Sequence, residues 1–411
     1  MRIPNDWELI QLHQIAEKVM VGIASAATHA YSDSGIRMLR NLNIKEGWID
    51  DSDMLYIDAE YERQHKNKRL KAGDILTVRT GYPGVSAVVS SKYDGAQCFT
   101  SLITRICKTK AIPEYVCLFI NSEYGKRFII SGEAGGAQKN VNAGMLEKMP
   151  VPLPPLAEQM SIVKIISAWD KAMTTTQQLL ANSQQQKKAL MQQLLTGKKR
   201  LLDKNGVRFS GEWKAQRIGS LLKEVKRPVQ WDDDSEYHLL SVKRRSEGVV
   251  LREILKGSDI LTKKMNTALA GDFLISKMQV VHGATGLVTE EFNKCHISDS
   301  YIALRPKDDE KIDIVFFSWF SKQKLMYHKA FLCSYGVHIE KMTFNFNMFV
   351  KEKVVIPATL EEQQKIATIL STADQEISAL QQKLAALKQE KQALMQQLLT
   401  GKLRVKVEEA A

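Results

Sequence analysis

The chain is 411 residues long, 44% hydrophobic and 25% charged, which suits a folded globular protein and exceeds one compact domain. Collagen-like and disordered classes are excluded. A formal charge of +12, from 58 Lys and Arg against 46 Asp and Glu, favours a polyanionic partner, because cations that neutralise phosphates release condensed counterions.

The N-terminus, Met1-Arg-Ile-Pro-Asn-Asp-Trp-Glu8, is polar and acidic and does not read as a signal peptide. The apolar run 19–30 is too short and too rich in Ala and Thr to span a membrane, so a cytoplasmic protein with no membrane partner is expected. Within the first 151 residues, Ala72-Gly-Asp74 opens a run of β-formers, Asp74-Ile-Leu-Thr-Val-Arg79, that predicts a strand leading to Thr80 and Tyr82. Residues 113–130 predict an amphipathic helix, and Gly135-Gly-Ala-Gln138-Lys-Asn140 a polar loop. Pro152, Pro154 and Pro155 then stand just outside a helix start, and Gly197 with Lys198 marks its end. No proline or glycine interrupts residues 158–196, which predict about 58 Å of helix at 1.5 Å per residue.

The order then repeats. Residues 202–355 carry the basic triplet Lys243-Arg244-Arg245 and a second turn, Ala270-Gly-Asp272, followed by the strand-like Phe-Leu-Ile-Ser-Lys277 and Gln279. His282-Gly283-Ala-Thr-Gly286 contains a G-x-x-G spacing that reads as a plain turn, and 313–331 predict another helix with an aromatic face. Pro357 precedes a second long helix within 356–411. Its Ala393–Lys402 repeats Ala189–Lys198 letter for letter at an offset of 204, and 23 of the 43 positions from Leu156 to Lys198 are identical at that offset. The segments are therefore 1–151, 152–201, 202–355 and 356–411: two divergent regions alternating with two copies of one helix. The charge excess lies in 156–357.

Heptads support helix pairing. One series of the second copy reads Ile366, Ala373, Leu380, Leu387, Leu394, and the other Leu370, Ile377, Leu384, Lys391, Leu398. The first copy, with Ile162, Trp169, Thr176, Ser183, Leu190 and Ile166, Met173, Leu180, Lys187, Leu194, has a more polar middle. The expected fold is α+β: two α/β domains separated by two long repeated helices that pair as an antiparallel coiled coil with pseudo-twofold symmetry.

Catalytic signatures are not evident. There is no G-x-x-x-x-G-K-[ST], no G-x-G-x-x-G, no H-E-x-x-H, and no Asn/Asp-Pro-Pro-aromatic tetrapeptide of the kind amino-methyltransferases use on a flipped base. Cys98, Cys107, Cys117, Cys295 and Cys333 are odd in number and scattered, which predicts buried free thiols and neither disulfides nor zinc.

Pro152-Leu-Pro-Pro-Leu-Ala-Glu-Gln159 opening a helix, Leu-Leu-Thr-Gly-Lys198 closing it, Ile356-Pro-Ala-Thr-Leu-Glu-Glu-Gln363 opening its copy, and the Ala-Gly-Asp-Ile-Leu turn at 72–76 together resemble the specificity subunit of type I restriction–modification enzymes. Residues 135–140 also look like that family's G-x-x-Q-x-N element, whereas Gly336-Val-His-Ile-Glu-Lys341 departs from it. The resemblance implies two target recognition domains that each read half of a bipartite double-stranded DNA sequence, with the helices setting the spacing. It further implies docking of two methyltransferase (modification) subunits, which bind S-adenosylmethionine, and of two restriction subunits that use ATP with Mg. The chain itself is then a non-catalytic scaffold without cofactor or metal. A standalone methyltransferase or nuclease with divergent motifs, a specificity subunit of a type II-like system, and a coiled-coil protein without DNA are the alternatives.

Direct readout uses Arg or Lys on guanine and Asn or Gln on adenine. The candidate DNA contacts are Arg79, Thr80 and Tyr82 after the first strand, and Gln138, Lys139 and Asn140 before the first long helix. Lys277, Gln279, Lys341 and Asn345 are the choices in the second half, with Lys243, Arg244 and Arg245 suited to phosphate.

Overall fold

Strand Glu8–Gln11 pairs antiparallel with Pro150–Leu153 in the computed structural model, closing the first divergent region beside the start of its long helix. The prolines sit in a two-stranded ribbon, where a missing N–H is tolerated. The structure describes residues 3–25, 27–132, 140–336, 338–339 and 342–406. By compactness the chain divides into residues 1–177 with 382–411, and residues 178–381. These units cut through both repeat helices, Leu156–Leu194 and Leu360–Leu398, which are continuous over 39 residues each.

In the first unit, a four-stranded sheet runs in the order Ala16–Val21, Leu102–Ile106, Ile75–Thr77, Ser86–Val88. A second sheet runs Gln97–Cys98, Ile36–Leu39, Leu55–Ile57, Tyr31–Ser32. The helix expected over 113–130 is two, Pro113–Asn121 and Glu123–Gly132. The break falls at Ser122, whose extended backbone ends one helix while its hydroxyl accepts from Gly125 N–H at 3.3 Å. Gly125 is required there, because a Cβ would lie 2.3 Å from the Ile120 carbonyl oxygen. The core joins Leu12, Tyr115, Phe119 and Val151 to Ile162 and Ile166 of the first repeat helix and to Leu398 of the second.

The second unit repeats the strand order of the first sheet but not of the second, in which Met265–Thr267 pairs with His296–Ser298 whereas Tyr31–Ser32 of the first unit pairs with Leu55–Ile57. Its sheets run Leu222–Val225, Tyr301–Pro306, Phe273–Ser276, Thr285–Leu287, and Gly248–Lys256, Glu236–Lys243, His296–Ser298, Met265–Thr267. Strand Lys214–Arg217 closes on Lys353–Ile356. The helix expected over 313–331 again breaks, into Ile314–Ser321 and Lys324–Leu332. Four of the five cysteines are buried, all five are free, and burial pushes the Cys98 and Cys117 thiols up to about 12.

The Glu-Gln dipeptide at each helix start is a junction. In the first unit, the Gln159 side chain accepts from Ile112 N–H at 2.8 Å and donates to the Pro154 carbonyl at 2.8 Å, anchoring the helix to the divergent region. Glu158, buried, accepts from Trp7 Nε1 at 3.1 Å and from Arg404 Nε at 2.8 Å. In the second unit, Gln363 accepts from Asp313 N–H at 3.0 Å and Glu362 from Arg200 Nε at 2.6 Å. The same unit-by-unit repetition joins Lys391 to Asp170 at 2.5 Å and Lys187 to Asp374. In each unit these pairs couple rising numbers on one repeat helix to falling numbers on the other. The heptad positions are buried or half-buried throughout, including Thr176 and Ser183. Ser183 lies in the second unit and donates to Glu376 at 3.0 Å.

Candidate nucleic-acid interface

The Ala-Gly-Asp turns frame the site. Gly73 and Gly271 take φ of +96° and +84°, a region that favours glycine. The following aspartates are fully buried clamps: Asp74 accepts from Lys71 N–H at 2.8 Å and from Arg105 Nε at 2.8 Å and Nη2 at 2.7 Å. Asp272 accepts from Leu269 N–H at 2.9 Å, Arg227 Nη1 at 2.7 Å and Arg305 Nε at 2.6 Å. Each clamp ties its turn to the neighbouring strand and so fixes where the next hairpin tip stands.

In the first unit that tip carries Arg79, Thr80 and Tyr82. Tyr82 is 82% exposed. Thr80 accepts from Asn41 Nδ2 at 3.2 Å, and Asn41 Oδ1 in turn accepts from Ser101 at 2.8 Å. Arg79 is half-buried, its Nε donating to the Val141 carbonyl at 3.3 Å while its own carbonyl accepts from Val141 N–H. Three loops therefore meet: the 40–43 turn, the 79–84 tip, and the segment from Asn140 into the next short helix. Asn140 is exposed; Gln138 and Lys139 lie outside the described residues.

The second unit builds the corresponding cluster. Lys243, Arg244 and Arg245 are exposed on a tight turn, with Arg245 at φ +58°. Buried Ser246 anchors it, donating its N–H to the Gly283 carbonyl at 2.8 Å and sharing a 2.6 Å hydrogen bond with the Tyr327 hydroxyl. Gly283, in the G-x-x-G spacing, is a turn residue at φ +73°, where a Cβ would lie 2.3 Å from Tyr327. Lys277 is half-buried and donates to the Asp299 carbonyl at 2.6 Å, and the half-buried Gln279 has its Oε1 buried with no donor among the described residues. The structure thus brings the triplet and the 277–283 turn together.

Asn345 caps the helix Phe346–Phe349, accepting from Met348 N–H at 3.0 Å, as Asn142 caps Ala143–Glu147 by accepting from Met145 N–H at 2.8 Å. The position matching Asn345 is therefore Asn142 and not Asn140; the Asn345 amide oxygen serves the backbone while its Nδ2 donates to the Tyr335 hydroxyl. Lys341 lies outside the described residues. Asn41 was not legible beforehand, although Arg40-Asn-Leu-Asn43 follows its strand as Lys243–Ser246 follows its own. Trp48 is 56% exposed on the hairpin of Ile44–Lys45 with Trp48–Ile49.

Among the described residues no group of three or more His, Cys, Asp or Glu is placed to hold a metal ion, and no helix is long and apolar enough to cross a membrane.

Over 430 residues the chain is 25% identical to a type I restriction enzyme MjaX specificity subunit of Methanocaldococcus jannaschii, covering 98% of this chain and 95% of that one. It is 25% identical over 167 residues to the EcoBI specificity subunit of Escherichia coli, covering 39% and 34% of the two chains. Among solved structures, the S subunit of a type I restriction–modification system from M. genitalium superposes with a TM-score of 0.59 at 12% identity, covering 97% of this chain and 98% of that one. The HsdS subunit from Thermoanaerobacter tengcongensis gives 0.53 at 19% identity, with 98% and 99% covered; both share the fold. The family model for the type I restriction modification DNA specificity domain matches twice, at residues 4–182 and 211–389, and the chain belongs to that family.

Proposed function

We propose that the two divergent domains of this specificity subunit each read one half of a bipartite double-stranded DNA sequence through their loop clusters. The repeated helices would pair as an antiparallel coiled coil with pseudo-twofold symmetry and set the spacing between the halves. The observation that carries this reading is the duplication of the whole device. Each unit has a clamped Ala-Gly-Asp turn, a hairpin tip meeting a second turn, a Lys–Asp pair between repeat helices, and an Arg–Glu pair from the segment after one repeat helix to the start of the other.

The clusters differ where readout would differ. The first presents Thr80, Tyr82 and Asn140, suited to base edges and stacking, and the second an exposed Lys243–Arg245 turn suited to phosphate. In this reading the chain is the non-catalytic scaffold of a complex with two methyltransferase and two restriction subunits. S-adenosylmethionine and ATP with Mg would be bound by those partners, and the complex would act in the cytoplasm.

The test is to express the chain with its methyltransferase partner and map methylated adenines across the host genome. A single bipartite motif with a fixed spacer supports the reading; a continuous motif, or methylation by the partner that does not depend on this chain, contradicts it.

A further inference from the structure

The second unit contains a cavity of about 820 Å³ between the last turns of the first repeat helix and the break that separates Ile314–Ser321 from Lys324–Leu332. Its size is that of small-molecule sites. Five lysines line it, Lys187, Lys188 and Lys198 from one side and Lys322 and Lys324 from the other, and no carboxylate is among the described lining residues.

Lys187 is paired with Asp374. Lys322 makes no ion pair among the described residues; its ammonium stands 4.0 Å from the centroid of the Trp319 ring. Burial holds its pKa below the ordinary lysine value, which Asp374 offsets only in part. Gln323, also on the wall, has a buried Nε2 with no acceptor among the described residues. It is the N-cap residue of the nine-residue helix Lys324–Leu332 and makes no side-chain cap, so the positive end of that helix lies at the cavity.

The corresponding cavity of the first unit serves as an internal comparison. It keeps Lys391, Met395 and Gln396 from the repeat, at the places of Lys187, Met191 and Gln192, yet measures about 260 Å³ and has Glu46 and Glu123 on its wall. Three of the five lysines belong to the repeat, and the divergent regions set the two cavities apart by supplying Lys322 and Lys324 in the second unit against Lys126, Glu46 and Glu123 in the first.

We propose that the cavity in the second unit binds a small ligand carrying a phosphate or oligophosphate group. Several point-charge ammoniums, an unpaired amide donor and a helix N-terminus converge on it, the set that neutralises a multivalent phosphate. The lining contains no arginine, so recognition here would run through point charges, the way lysine holds phosphate, and not through bidentate forks.

The test footprints the lysines of the full wild-type chain with an amine-acylating reagent, with and without sodium triphosphate at low salt, read by mass spectrometry. Saturable protection of Lys188, Lys198, Lys322 and Lys324, with Lys126 and Lys388 of the first unit unprotected, is the expected result. Calorimetric titration with triphosphate should show affinity weakened at least about tenfold in Lys322→Gln/Lys324→Gln and unchanged in Lys126→Gln/Lys388→Gln. ATP in place of triphosphate distinguishes a nucleotide from a free oligophosphate, and binding of either supports the proposal. Non-saturable protection spread over all lysines overturns it. So does protection by an oligoglutamate peptide or by duplex DNA where triphosphate gives none.

Discussion

Arg404 and Glu158 are 246 positions apart in sequence and 2.8 Å apart in the fold, Nε to Oε1, with the carboxylate side chain 3% exposed. Arg200 and Glu362 make the same contact in the other unit at 2.6 Å, 204 positions earlier for the arginine and later for the glutamate. Each pair locks the segment after one repeat helix to the start of the other. A buried carboxylate deprived of its partner is far costlier than the intact pair is favourable.

Arg200→Ala should therefore lower unfolding free energy by about 2–4 kcal/mol, since Arg200 is 19% exposed and its partner 2%. Urea denaturation of the purified chain measures it. Arg200→Ala/Glu362→Gln should recover part of the loss, because no unpaired charge is then left buried. A single-variant cost below about 0.5 kcal/mol would remove the junction from the account.

Lys243→Ala and Arg245→Ala should weaken DNA binding to all sequences alike and reduce the slope of log affinity against log salt by about one each, the behaviour of a phosphate contact. Affinity measured across a salt series with matched and scrambled duplexes separates this from base readout. A loss confined to the matched duplex would make these residues base readers.

His296 packs edge-to-face on Tyr237 at 5.0 Å, and burial holds its pKa below the ordinary histidine value. The folded state then binds fewer protons than the unfolded chain as pH falls from about 6.5 towards the folded pKa, so stability drops across that interval. His296→Gln should flatten the pH dependence there, read by thermal melts between about pH 5 and 7.5. Parallel curves for the two proteins would show that other groups govern acid sensitivity.

The repeat was legible because identity at a fixed offset survives any folding detail, and the helix ends because Pro, Gly and Lys mark them. Glu158, Gln159, Glu362 and Gln363 stood out as repeated letters, yet nothing local told that one residue of each pair serves the divergent region and the other the opposite repeat. Both aromatic helices hid their breaks: Ser122 and Lys322-Gln323 interrupt them with no proline, and Gly125 is a requirement set by the Ile120 carbonyl. An amide in a polar loop such as Asn345 can serve either a base or a helix cap, and the cap becomes visible only when the fold brings the Met348 N–H to its oxygen.

Deleting matched heptads, 180–186 with 384–390, shortens each repeat by about 10.5 Å while retaining Lys187–Asp374 and Asp170–Lys391. If the helices set the spacing, the preferred spacer should contract by roughly one to three base pairs at 3.4 Å per pair, with bending and twist absorbing the remainder. Site selection from a library with randomised spacer length reads this out. An unchanged spacer in a folded, binding-competent variant would assign the spacing to something other than the helices.

The most direct test of two independent readers is site selection from fully randomised duplexes by the complex of this chain with its methyltransferase partner, comparing wild type with Thr80→Ala/Tyr82→Ala. Both side chains are exposed at the tip of one cluster, so the variant leaves the clamps and cores intact. The account predicts that one half of the recovered motif loses information while the other half and the spacer stay as they were. Degradation of both halves together, or of neither, would contradict it.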